Sequence, residues 1–466
     1  MDGHKEIDVT DVRSGSDNAV SQTSAMGSDS EPPIDEAKLL RKIDWHLLPI
    51  LVNIANALTM GLPAELGLVG DQSNVALTIF FAPYIVFEVP SNIAMKKWSP
   101  RIWLSGCILS FGVIMLGQGF VQNYSGLLAT RFLLGLFETG IFPGSFYLIS
   151  FWYKQEEAMR RFAVYWSTTI CAGAFGGLLA SAIANMDGIR GLSNWRWVFI
   201  LEGLATILIG LMAFFCITDF PREATWLSEK EREFILAKTG HDESHSVPVT
   251  ARDVLVFFSK PKHWAAAVMY FSLLVPAYSI VYFLPTIVQT LGYNTIQTQL
   301  HSVPPFAAAF GFVMVLSYLS DKYRVRSPFI FLGLALLLTG LSVLISVHGA
   351  DHFSAQYGAI CLTAMGSFGI GGIVVCWYVM NLRGHVERGI GSAWMICFGN
   401  CGGIVATFIF LKKDAPYYYS GYSICLAMTA VCIVSAACYL FLVWRERKAE
   451  ARSPVEDGRG RHEIYL

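Results

Sequence analysis

Twelve apolar segments leave this chain very few architectures. They lie near 47–62, 75–95, 102–121, 127–150, 162–184, 197–217, 264–288, 303–320, 328–347, 357–380, 390–411 and 421–444. Most reach the length of about 20 residues that a helix needs to span a hydrocarbon core. Backbone groups inside a bilayer must be satisfied within the element that carries them, and helices of this length do so. One long hydrophilic interruption, 218–263, divides the segments six and six. Only 15% of the 466 residues are charged, against about 25% in soluble proteins. The expectation is an all-α membrane protein.

The first segment is the exception. "LLPILVNIANALTMGL", Leu47 to Leu62, covers about 24 Å as a helix against a core of about 30 Å, and it carries Pro49, Asn53 and Asn56. The segment 303–320 is also short. Inside the interruption, "LSEKERE" predicts a short helix capped by Ser228 with Glu231 three residues on.

Basic residues set the orientation. The tail before Leu47, the loops after even-numbered spans and the C-terminal tail hold 29 Lys and Arg. The other side holds Arg190, Arg196, Lys412 and Lys413. By the positive-inside rule both termini and the central loop face the cytoplasm. The domain reading is a disordered tail over 1–46, a six-helix half over 47–217, a cytoplasmic loop over 218–263, a second half over 264–444 and a tail over 445–466. The basic C-terminal tail needs no nucleic acid as partner.

An internal repeat agrees with the division. "KKWSPRIW" after span 2 and "DKYRVRSPFI" after span 8 lie about 225 residues apart. "AGAFGG" and "FGNCGG" share that offset, as do Arg160 and His385. Two related six-helix halves with a site between them near the midplane are a transporter plan.

Several motifs in this order resemble one family: "APYIVFEVPSN", "GLLATRFLLGLFETGIFPG", "AGAFGGLLA", "NWRWVFILEG", "GHVERGIGSAWMICFGNCGG" and "KDAPYYYSGY". They resemble the fungal anion:cation symporters of the major facilitator superfamily, the allantoate and nicotinate permease relatives. The resemblance runs from about Arg41 to Trp444. It implies a major facilitator fold, two six-helix halves around a central cavity. It also implies proton-coupled uptake of small organic anions by alternating access, with the proton gradient as energy source and no cofactor. The expected setting is the plasma membrane, and the expected state a monomer. In one place the sequence departs from the pattern. "LLPILV" passes straight to "NIANAL", where relatives carry further span-1 residues that include an Asp-Arg pair. A mis-assigned or alternatively used intron, or a degenerate gene copy, would produce this truncated first helix.

Candidate residues follow from burial cost, since an ion inside a bilayer faces a cavity or a partner. Arg131, Gly135 and Glu138 share a face of span 4. The Arg131 guanidinium offers a fork to a carboxylate, and the alternative is that both ions hold helices together or serve gating. Asn400, beside Gly402 and Gly403, suits a carboxylate or an interhelical bond equally. Tyr278 and Tyr282 could stack on a heteroaromatic substrate or line the outer gate. Glu88 and Glu202 suit gating or packing better than substrate. Asp321, Lys322, Arg324 and Arg326 look like the superfamily's charge relay in the loop between spans 8 and 9. Gly173, Gly176 and Gly177 permit close helix approach. All ten cysteines fall inside apolar spans, where Cys397 and Cys401 suit packing. The pairs His241/His245 and His348/His352 have no third ligand, so no metal site is expected. Asn123 heads a sequon on a very short outer loop, and no glycosylation is expected there.

Within transporters the alternative is an exporter of a fungal secondary metabolite. "GAFGG" lacks the Gly-Pro common in antiporters, which favours import. A nutrient sensor on a transporter fold and a transport-dead variant are the other readings. No His, Cys or carboxylate cluster suggests an enzyme.

Overall fold

The computed structural model describes residues 57–452 apart from 59, 154, 225, 240–249, 348–351, 383 and 416. Most of the short first segment lies outside the described residues, as do His241, His245 and His348. Every regular element among the described residues is a helix. Ala57, Met60, Leu62 and Leu66 are buried in one cluster with Phe111, Met115, Trp195 and Phe199. There the chain turns at Gly61, φ +99°, a value that suits a residue without Cβ.

Four short helices sit at the ends of longer ones or between them. These are α1 (Leu62–Glu65), α2 (Gln72–Thr78), α9 (Glu229–Thr239) and α10 (Ala251–Ser259). As the sequence predicts, Ser228 and Glu231 cap α9 reciprocally, the Ser228 amide donating to Glu231 Oε2 at 2.9 Å. Thr250 and Asp253 form an equivalent box on α10.

The remaining helices are α3 (Phe81–Trp98), α4 (Pro100–Gln118), α5 (Tyr124–Glu138), α6 (Ile141–Trp152), α7 (Gln155–Ile183), α8 (Asn194–Cys216) and α11 (Pro261–Gln289). After them come α12 (Thr295–His301), α13 (Val303–Tyr323), α14 (Ser327–Ser346), α15 (Phe353–Gly369), α16 (Gly371–Met380), α17 (Gly384–Thr407) and α18 (Tyr419–Arg452). Ten of the described helical stretches are long and apolar enough to cross a membrane. Helix α3 is not one of them, because its 18 residues include Glu88, Lys96 and Lys97.

Three segments differ from their hydropathy outlines. The eighth is not short: α12 leads through Ser302 into α13, a stretch of 29 residues. Pro304 and Pro305 lie in the first turn of α13, where a missing N–H costs no hydrogen bond, so they do not end the span. The fourth segment is broken at Thr139–Gly140, between α5 and α6. Gly140 lies against Ser91 Oγ and Trp103 Nε1, and the Thr139 hydroxyl donates to the Tyr84 carbonyl at 2.6 Å. The tenth is broken at Ile370, between α15 and α16. The break frees the Phe368 carbonyl, which accepts Trp166 Nε1 from α7 at 3.0 Å.

Backbones meet directly at two glycine seams. A Cβ on Gly203 of α8 would come within 2.5 Å of the Leu116 amide of α4, and one on Gly112 within 2.8 Å of the Ile207 amide. Between α14 and α15, Gly340 faces the Ala359 carbonyl and Gly366 the Leu337 amide at the same range. The two parts of the chain meet through α3 on α17 and α7 on α13. The Phe81 ring lies against Gly403, and Gly177 lies against the Gln299 carbonyl. Ser99 and Arg324, 225 positions apart, are both non-glycine residues with positive φ, +80° and +53°, but their ψ values differ, 145° against 27°.

Candidate functional site

Between the two parts of the chain lies a cavity of about 230 Å³. Its wall is mostly aromatic, with Tyr84, Phe142, Tyr165, Trp166, Tyr278 and Phe306 among the lining residues. Two lining residues carry charge, Arg131 and Glu138, and both come from α5. Seven residues separate them, about 10.5 Å along the helix axis, which is too far for an ion pair. Arg131 is 6% exposed, and its Nη2 has no hydrogen-bond partner among the described residues. Glu138 is the last residue of α5, where the fourth segment breaks.

The two interrupted helices therefore both serve the cavity. The break after Glu138 ends one wall, and Phe368 just before the break at Ile370 contributes to another. Interrupted helices are a means by which transporters bring backbone groups to a site at mid-depth.

Five candidates from the sequence, Arg131, Glu138, Asn400, Tyr278 and Tyr282, come together in the lining of this one cavity. Tyr278 donates its hydroxyl proton to Asn400 Oδ1 at 2.8 Å. Tyr278 and Tyr282 stack on each other, centroids 6.0 Å apart at 11°, and Phe81 of α3 meets Tyr278 edge-on at 5.3 Å. Much of the tyrosine ring surface is thus occupied by other rings.

The other candidates fall elsewhere. Gly135, on the same helix as Arg131, faces the Phe80 carbonyl and Pro83 rather than the cavity. Gly173 is the exception, lining the cavity beneath the Phe306 ring, and Gly402 lies against the Phe271 carbonyl. Gly176 is buried in α7. Glu88 and Glu202 are buried away from the cavity wall, at 0% and 6% exposure. Asp321 and Arg326 form an ion pair at 2.5 Å, and Arg326 Nη1 also donates to Ser320 Oγ at 2.8 Å. Lys322 lies over the Tyr323 ring, and Arg324 takes the left-handed turn position. Asn123 caps α5, its Oδ1 accepting the Gly126 amide at 2.8 Å. The side chains of Arg160 and His385 lie outside what is described.

Two charged clusters escape the sequence reading. At the α1 end, Glu65 accepts from the Ser193 hydroxyl, from Trp195 Nε1 at 2.6 Å and from Arg196 Nε at 2.9 Å. Arg196 Nη1 in turn donates to the Gly119 and Val121 carbonyls. Burial of Glu65 opposes its ionisation. The donors from Ser193, Trp195 and Arg196, together with the Arg196 charge, outweigh that effect and hold its carboxyl below the ordinary value. At the opposite ends of α11, α17 and α18, Lys262 bridges Glu387 and Glu446 at 3.5 and 3.2 Å. His263 lies 3.0 Å from Glu387 and stacks on Phe257 of α10. That cluster ties the central loop to the second half of the chain.

The family model described as the Major Facilitator Superfamily matches residues 50–408. The chain belongs to the major facilitator superfamily. It is a multi-pass membrane transporter and not an enzyme. Among members of the superfamily, it is 31% identical over 441 residues to the MFS-type transporter cnsO of Penicillium expansum, covering 88% of this chain and 84% of that protein. It is 30% identical over 426 residues to the high-affinity nicotinic acid transporter of Saccharomyces cerevisiae, with 88% and 78% covered. The fold of this major facilitator protein is similar to that of the proton:xylose symporter XylE, with a TM-score of 0.67 at 15% identity over 86% of this chain and 92% of that one. A bacterial homologue of the human lysosomal transporter Spinster, inward-facing, gives 0.62 at 13% identity over 87% and 95%.

Proposed function

We propose that this transporter imports a small organic carboxylate together with protons, as the anion:cation symporters do. The observation that carries the reading is Arg131. Among the described residues, a guanidinium with an unpartnered nitrogen is the one cation on a small, mostly aromatic cavity. Its planar fork suits a carboxylate, and the dry surroundings strengthen the pairing. Glu138 on the same wall is a group through which a proton can be coupled to the anion. The relative named as a nicotinic acid transporter supports a carboxylate as cargo. Nicotinate, allantoate and pantothenate are the substrates to try first.

A cavity of about 230 Å³ lies below the about 300–1,000 Å³ of pockets for drug-sized ligands. That size favours a small nutrient over a bulky secondary metabolite, and so import over the exporter reading. The protein works as a monomer in the plasma membrane with both termini cytoplasmic, drawing on the proton gradient without a cofactor. Labelled nicotinate, allantoate and pantothenate should each be offered to cells expressing the full chain, in acidic and in neutral medium. Uptake of one of them that rises with acidity supports the reading. No acid-stimulated uptake of any of the three overturns it, and the transport-dead reading from the truncated first helix then stands.

A further inference from the structure

Among the described residues Glu88 is the most deeply buried acid outside the cavity. Its exposure is 0%, and neither carboxylate oxygen has a hydrogen-bond partner among the described residues. It lies two turns along α3 from Phe81, on the helix that packs against α17 from the second half of the chain. Phe81 meets Gly403 at one level of this seam. At the level of Glu88 its electrostatic neighbours are Tyr84 on α3, Tyr270 and Tyr278 on α11, and Cys397 and Cys401 on α17. No charged side chain of α4, α5 or α6 acts on it among the described residues.

Such an acid has no structural use as an anion. Among the described residues it pairs with no cation, caps no helix and accepts no hydrogen bond, so leaving it ionised here is costly and uncompensated. The cost is removed in either of two ways, by a proton on the carboxyl or by water reaching it. Water reaches it when α3 moves away from α17 and α11, the helices that carry these neighbours. Pro90, two residues on, removes one backbone N–H from α3 just beyond this level.

We propose that Glu88 is a proton-carrying site of this transporter, separate from Glu138, loaded while the seam between α3 and α17 is closed and emptied when it opens. In the emptying step the carboxyl O–H bond breaks, the proton passes to water and the carboxylate remains, with no electron transferred. The site lies beyond the cavity, towards the end of α3 that carries Lys97. A proton released there leaves on that side of the membrane, whichever anion occupies the cavity. This assignment rests on the proton-coupled reading above, and its test has an arm that does not need the substrate.

The first arm is infrared spectroscopy of the purified full chain in lipid, comparing wild type with Glu88→Gln without substrate at neutral pH. The expected result is a C=O stretch of an un-ionised carboxyl that the variant lacks; an unchanged spectrum in that region overturns the proposal. The second arm is nicotinate uptake into proteoliposomes. Stimulation by external acid should fall to a ratio near one in Glu88→Gln, while nicotinate counterflow, which needs no net proton release, persists. Full acid stimulation in the variant overturns the proposal. Should wild type take up no nicotinate at any pH, nicotinate falls as the cargo and the infrared arm still decides Glu88. Should Glu88→Gln fail to assemble, wild type is treated with a hydrophobic carbodiimide, which reacts with buried un-ionised carboxyls. An adduct on the Glu88 peptide supports the site, and its absence overturns it.

Discussion

The Tyr278 hydroxyl and the Asn400 amide form a 2.8 Å hydrogen bond across α11 and α17, and both residues line the same cavity. The bond takes one of the two acceptor positions of Asn400 Oδ1 and fixes the direction in which its amide nitrogen can donate. Tyr278 is in turn held edge-on by Phe81 from α3. One tyrosine thereby couples the orientation of a cavity amide to the contact between the two parts of the chain.

Replacing Tyr278 with Phe removes that one bond and little volume. A single neutral hydrogen bond contributes about 0.5–1.5 kcal/mol, so the KM for the transported anion is expected to rise up to about tenfold, with kcat changing less. Uptake kinetics measure this. A KM that stays put while thermal stability falls would show Asn400 to be interhelical glue.

Arg131→Lys keeps the charge and loses the fork. Because a bidentate site does not treat the two cations alike, kcat/KM is expected to fall about tenfold or more, a loss of about 1.4 kcal/mol or greater. Arg131→Ala should leave no saturable uptake. Activity of the lysine variant equal to wild type would remove Arg131 from the site.

Glu65 predicts a pH-dependent stability. Its carboxyl is held below the ordinary value, through the Ser193, Trp195 and Arg196 donors against the effect of burial. The contribution is therefore complete above the unfolded value of about 4.3 and is lost as pH falls through the lowered folded value. With a side chain 36% exposed, solvent screening limits it to about 1 kcal/mol at neutral pH. Thermal unfolding of Glu65→Gln in detergent should show a lower Tm at neutral pH and convergence with wild type in acid. Equal Tm at both ends would show the cluster to be without energetic weight.

Two glycines of α4 make a contrast. Gly112 sits in the seam with α8, whereas Gly106 has nothing within 4 Å of where a Cβ would be. Gly112→Ala is expected to cost about 1–3 kcal/mol through forced separation of the helices. Gly106→Ala should gain up to about 1 kcal/mol by helix propensity. The yield of monodisperse protein and its Tm check both, and similar behaviour of the two variants would contradict the seam.

Much of this molecule was legible in its sequence because a bilayer asks for a signal that hydropathy measures directly. The spans, the cap at Ser228 and Glu231, and the pairing of Arg131 with Glu138 on one helix all follow from composition and spacing. The breaks at Thr139–Gly140 and Ile370 did not, because hydropathy averages over a turn and is blind to one misplaced carbonyl. The eighth segment looks short because the polar residues of α12, Thr295 to His301, fall outside a hydropathy outline while the helix runs on through them. Glu65 resembled any loop acid, since its three donors come from residues about 130 positions away. The cap formed by Thr250 and Asp253 is spelled out in "TARD", where spacing alone carries the signal. Tyr278 and Tyr282 were seen as a pair, but their mutual stacking depends on rotamers that spacing does not fix.

The glycine seams bear on how such a molecule can deform. Where Gly203 meets Leu116 and Gly366 meets Leu337, main chain rests on main chain with no side-chain layer to compress or re-rotamerise. Each seam behaves as a stiff plank. Shape change is left to the places where rings and short polar groups meet instead, at Phe81 on Tyr278 and Trp166 on Phe368. The compliance of the protein is thereby concentrated around the cavity.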